Sequence, residues 1–157
     1  AAAQDLKTGT IRRDPFAMIP FCGYNMADYF GHWLRIGKQL KNPPKIFAVN
    51  WFRKDEEGRY LWPGFGENIR ILRWIIDRVK GRVKAKETPI GLVPYPEDIN
   101  TEGLQMGRRE LEKALEVKPE EWRREASEIR EFFSRFGQRM PEELLQELEK
   151  LEKALGG

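Results

Sequence analysis

Residues 51–68, WFRKDEEGRYLWPGFGEN, restrict what this chain can fold into more than any other stretch. Five of their first fifteen positions are aromatic: Trp51, Phe52, Tyr60, Trp62 and Phe65. Asp55-Glu56-Glu57-Gly58 is turn chemistry, so the aromatic arms on either side are expected to fold back toward each other. Pro63-Gly64 and Gly66 then permit a tight backbone with little side-chain cover. Ile69, Leu72, Ile76 and Val79 follow at helical spacing and predict an amphipathic helix over 69–80. Such a segment has two readings. In one, the rings close a hydrophobic core. In the other, glycines hold the aromatics open beside a helix N-terminus as a slot for a planar base, and Asn68 offers its edge an acceptor and donors.

The rest of the chain limits the choice of class. Its 157 residues are 40% hydrophobic, enough for one domain with a real core. Lys and Arg number 28 against 25 Asp and Glu, so a strongly acidic or disordered chain is excluded. One Cys rules out a disulfide scaffold. No apolar stretch approaches the roughly 20 residues that span a bilayer, and AAAQDLKTGT lacks the apolar run of a signal peptide. The expectation is a soluble, cytoplasmic polypeptide; with no starting Met, it also reads as a piece of something longer. Charge and rings are unevenly spread. Residues 1–80 carry net +6 and 13 of the 18 aromatics, whereas residues 81–157 carry net −3. A basic, aromatic first half suits anions bearing a flat ring, and it equally suits an aromatic core under solvated charges.

The element pattern is mixed first and helical last, giving an α/β (mixed α+β) fold class. Met26–Leu40 reads as a helix behind an Asn25 cap, stopped before Pro43-Pro44. Residues 45–50, KIFAVN, read as a buried strand, residues 88–93, TPIGLV, as a second strand, and residues 94–100 as a loop. Helices are predicted over 110–117, 120–136 and 142–155, with Pro119 and Pro141 where they begin and Gly137 and Gly156 where they end. Glu120–Arg124 and Glu149–Lys153 are spaced to pair on their exposed faces.

Much catalytic chemistry is missing. With one His and one Cys, a zinc or iron–sulfur site built from those residues is not available. His32, between Gly31 and Trp33, is expected to be a hydrogen-bonded structural histidine, and Cys22 a small buried hydrophobe. Neither G-x-x-x-x-G-K-[ST] nor a G-x-G-x-x-G after a strand occurs.

The run VNWFRKDEEGRYLWPGFGENIRIL, supported by RDPFAMIPFCGYN at 13–25 and ETPIGLVP at 87–94, closely resembles the C-terminal region of GTP-dependent phosphoenolpyruvate carboxykinases. The resemblance implies that the guanine of GTP or GDP lies between Phe52, Tyr60 and Phe65, with contacts from Gly66, Glu67 and Asn68. Tyr60 stands where Phe is more familiar, and Ile19 and Cys22 where related enzymes often show Arg and Phe. The implied reaction converts oxaloacetate and GTP to phosphoenolpyruvate, GDP and carbon dioxide, in gluconeogenesis. The family's manganese or magnesium ligands, phosphate loop, reactive Cys and substrate arginines lie upstream of the matched region; Cys22 and His32 do not correspond to them. AAAQDLKTG resembles the latter part of the family's active-site lid. The resemblance therefore implies a nucleotide-binding part over 1–100, with a lid remnant at about 1–10 and the guanine segment at 51–68, followed by a helical segment over 101–157. Its partner would be the N-terminal remainder of the enzyme, with neither membrane nor nucleic acid, and the chain alone would be inactive. Two other readings stay open: a free-standing nucleotide- or nucleic-acid-binding module, and a structural helical accessory domain.

Overall fold

A computed structural model describes residues 18–156. The lid-like residues 1–10 and the first five residues of the RDPFAMIPFCGYN run, 13–17, lie outside them. In chain order the regular elements are α1 (Met26–Gln39), α2 (Asn68–Val79), β1 (Lys86–Thr88), β2 (Gly91–Val93), α3 (Arg108–Leu115), α4 (Pro119–Ser134) and α5 (Glu142–Ala154), with short 3-10 turns between. The fold is thus mixed, mainly helical with one small antiparallel sheet. The described residues divide into two compact units, one comprising Pro44–Lys118 and the other the described residues up to Pro43 together with those from Pro119 onward.

In the second of these, α1 starts as its sequence dictates: the Asn25 side chain accepts from the Ala27 backbone N–H at 2.9 Å. Phe30 meets Phe136 edge-on at 5.5 Å, and Phe136 meets Phe132 at 5.1 Å. Arg139 pairs with Asp28 at 2.8 Å, and Arg130 forks onto both oxygens of Glu152. Helix α4 opens on Pro119 with Glu120 and Glu121 behind it, and α5 opens on Glu142 and Glu143 and closes with Lys153, the charge order the helix dipole favours. Gly156, at φ +78°, ends the last helix in a left-handed turn. Glu120 pairs with Arg123 at 3.7 Å, one residue short of the expected Arg124. His32 corrects its reading: it is exposed and stacks on Tyr29 at 6.4 Å, and no described group hydrogen-bonds it. Cys22 is half-buried.

In the unit Pro44–Lys118, Trp62, Trp74, Ile99 and Leu111 form the buried core, with Phe47, Trp51, Ile71 and Ile75 packed against it. Two sequence expectations change here. KIFAVN is not a strand among the described residues: no neighbouring backbone pairs with it, and Ile46 is 78% exposed. β-propensity supplies suitable side chains, not the partner strand that a ladder needs. TPIGLV is not one strand either but the end of β1, a turn and β2, in register Lys86↔Val93, Glu87↔Leu92 and Thr88↔Gly91. Gly91 at φ +110° turns the chain there, and the Thr88 hydroxyl donates to the Gly91 carbonyl at 2.7 Å.

Candidate functional site

The aromatic segment folds back on itself as its turn chemistry requires. Asp55 Oδ1 accepts from the backbone N–H groups of Glu57 and Arg59, and Arg59 Nε donates to Oδ2 at 2.9 Å. Gly58, at φ +79°, supplies the left-handed residue. Beyond the turn, the Asp55 N–H donates to the Arg59 carbonyl and the Leu61 N–H to the Arg53 carbonyl, and Lys54 bridges Tyr60. The backbone N–H of Arg59, followed by its guanidinium, holds the Asp55 carboxyl below the usual carboxylate range. Arg53 pins the hairpin to the end of α3 by donating to the carbonyls of Ala114 and Glu116 at 3.2 and 2.5 Å. Those are C-terminal carbonyls that a cation satisfies well.

The hairpin sorts its rings by burial, and simple strand alternation does not account for it, since Tyr60 and Trp62, two residues apart, would then share a face. Trp51 and Trp62 turn inward, 6.1 Å apart. Phe52 and Tyr60 turn outward, 74% and 58% exposed, and meet edge-on at 6.2 Å. Lys54 Nζ lies 4.8 Å from the centre of the Tyr60 ring, a cation–π contact that leaves positive charge beside the pair. The core-closing reading thus describes the tryptophans, and the other rings lie outside the core.

Phe65 begins a 3-10 turn, Phe65–Glu67, that runs straight into α2. Gly64 before it sits at φ +140°, ψ −176°, a conformation open essentially to glycine alone. The ring of Phe65 is 90% exposed and has no ring contact among the described residues. Gly66 stands open, with nothing within 4 Å of where a side chain would start. Glu67 accepts from Arg70 Nε at 2.6 Å. Asn68 is the first residue of α2, and its Oδ1 accepts from the Trp62 indole at 2.8 Å. The structure therefore brings Phe52 to Tyr60, and Phe65 through Asn68 into one turn, while Phe65 stacks on neither of the other rings. Two residues support this turn in roles the sequence reading did not give them: Trp62, read there only as one of the segment's aromatics, and Arg70. Trp62 reaches Asn68, and Arg70 ties Glu67 to the carbonyls of Asn100 and Glu102 at 2.8 and 2.9 Å. A long cation three residues after Glu67 on a helix was the only sequence signal for the second.

Among the described residues no group of three or more His, Cys, Asp or Glu side chains could hold a metal ion. No helix there is long and apolar enough to cross a membrane.

With its small sheet and hairpin this is a mixed α/β fold and not an all-helical accessory domain. The comparison with known proteins is specific: the chain belongs to the GTP-dependent phosphoenolpyruvate carboxykinase family, whose C-terminal P-loop domain matches residues 1–154. It is 50% identical over 160 residues to the phosphoenolpyruvate carboxykinase [GTP] of Treponema pallidum strain Nichols, covering 100% of this chain and 26% of that protein. The enzymes of that name from Chlamydia muridarum and Thermoplasma volcanium are 51% and 48% identical, over 94% and 99% of this chain and 25% and 26% of their own lengths. The chain thus spans about a quarter of the length of these curated relatives.

Proposed function

We propose that this chain is the guanine-binding portion of a GTP-dependent phosphoenolpyruvate carboxykinase, the enzyme that converts oxaloacetate and GTP to phosphoenolpyruvate, GDP and carbon dioxide. Phe52, Tyr60 and Phe65 stack on the base, Gly66 lets it approach the backbone, and Glu67 and Asn68 read its edge. In this reading residues 1–100 complete the nucleotide-binding part, residues 1–10 belong to a lid, and residues 101–157 form the helical segment. The observation that carries it is the exposure of these three rings beside the buried Trp62 and the half-buried Trp51 packed against it. Phe65, 90% exposed on a glycine turn, takes no part in the core of its unit.

The family's manganese or magnesium ion does not fit the described residues, which offer no cluster for it. Its ligands and the phosphate-binding groups are assigned to the N-terminal remainder of the enzyme, and catalysis therefore needs both parts. The face of α2 turned away from the core supports that partnership. Ile69, Leu72, Ile76 and Val79 line it and are 66%, 46%, 48% and 57% exposed, an apolar stripe that a helix in water does not ordinarily carry. A cytoplasmic location and a role in gluconeogenesis belong to the same reading.

Calorimetric titration of the full-length enzyme with GDP and ADP tests the proposal. GDP should bind more tightly, and Asn68→Ala should shrink the difference. Equal affinity for the two nucleotides in the unsubstituted enzyme would sink it.

A further inference from the structure

We propose that Trp62 is a positioning residue that fixes which way round the Asn68 carboxamide faces, and thereby selects a keto group over an amino group at position 6 of the purine. The inference rests on the reading that Asn68 meets the base edge.

A carboxamide has two ends of almost the same size, an acceptor oxygen and a donor NH2. Presented to a purine, the donor end suits the O6 acceptor of guanine, and the acceptor end suits the N6 amino group of adenine. Shape does not decide between them, so something behind the amide must. Here that partner is the indole of Trp62. Its nitrogen can only donate, and it lies 2.8 Å from Asn68 Oδ1. Trp62 is 8% exposed and packed with Trp51, Trp74, Ile99 and Leu111, so its N–H has no ready recourse to water. Turning the Asn68 amide over would set two donors against each other and strand the indole N–H. The backbone of Asn68 is held as well, because its N–H donates to the Phe65 carbonyl. Among the described residues nothing accepts from Asn68 Nδ2, so the donor end is what the amide presents.

The decisive variant replaces Trp62 in the full-length enzyme by 3-benzothienylalanine, which keeps the bicyclic shape and has no N–H. Trp62→Phe is the genetically encoded counterpart. Dissociation constants are measured for GDP, IDP and ADP; IDP keeps O6 and lacks the 2-amino group. Loss of one orienting hydrogen bond should cut the GDP/ADP preference about five- to tenfold. IDP should fall in parallel with GDP, and the melting temperature of the benzothienyl protein should hold. An unchanged preference in a folded benzothienyl protein overturns the role of Trp62. Asn68→Asp, which leaves the indole bond possible and presents an acceptor, should lower GDP and raise ADP; if it moves neither, Asn68 does not face position 6. An unsubstituted enzyme with no preference for GDP overturns the underlying guanine reading instead, so the two failures are distinguishable.

Discussion

Arg70 ties together two loops that lie far apart in sequence: its Nε holds Glu67 at 2.6 Å, and its terminal nitrogens hold the carbonyls of Asn100 and Glu102. The side chain is only 17% exposed, so these bonds work in partial shelter from water. Glu67 ends the 3-10 turn that carries Phe65, and the position of that turn therefore depends on residues thirty positions downstream.

Replacing Arg70 by Ala should accordingly destabilise the protein by about 1–3 kcal/mol, the range for losing a charged donor that serves several acceptors. Arg70→Lys should recover little, since an ammonium cannot span the same fork. Urea denaturation of the three proteins measures this; a lysine variant as stable as the parent would show that the fork is dispensable.

Phe65→Ala is predicted to separate binding from stability. A ring that is 90% exposed contributes little to folding, so the unfolding free energy should change by less than roughly 0.5 kcal/mol. Stacking on a base is worth about 1–3 kcal/mol, so affinity for GDP should fall by that much. Thermal melting and nucleotide titration on the same preparation check both halves. A large stability loss with intact affinity would assign Phe65 to packing.

The Asp55 turn carries a pH dependence whose sign is fixed by its hydrogen bonds. The carboxyl is held below its ordinary value, first by the backbone N–H of Arg59 and then by the guanidinium. The folded form therefore prefers the carboxylate, and this stabilisation is present above the unfolded carboxyl's pKa near 4 and is lost as pH falls through the lower folded value. Amide exchange at Glu57 and Arg59 should quicken in that acid window and not on raising the pH from 6 to 8, once intrinsic exchange is corrected for. Asp55→Asn should flatten the profile.

These results show where the sequence was legible. Helices with strong periodicity and punctuation were readable: the Asn25 cap, Pro119 and Gly156 each stand where local chemistry puts them, because caps and turns depend on a few adjacent residues. The turn around Asp55–Gly58 was readable for the same reason. KIFAVN was not, because its composition states a preference for extended backbone and nothing about whether another strand lies alongside. Within the aromatic segment, the residue types announced a base slot or a core, and only the folded hairpin separates Trp51 and Trp62, packed together in the core, from the exposed Phe52 and Tyr60; strand alternation alone would put Tyr60 and Trp62 on one face. The bond from Trp62 to Asn68 crosses a proline and two glycines, and its geometry follows from the whole turn rather than from any spacing.

The exposed stripe on α2 gives a prediction about assembly. If Ile69, Leu72, Ile76 and Val79 are covered by the remainder of the enzyme, a charge placed among them should act differently in the two contexts. In the full-length protein Ile76→Glu should cost several kcal/mol, because the carboxylate would be buried without a partner. In the 157-residue chain alone, where Ile76 is 48% exposed, the same change should be close to neutral and should reduce self-association. Parallel urea melts and sedimentation velocity on both lengths measure the contrast. Equal, small effects in both would mean that this face meets water in the complete enzyme and that its apolar residues serve some other contact.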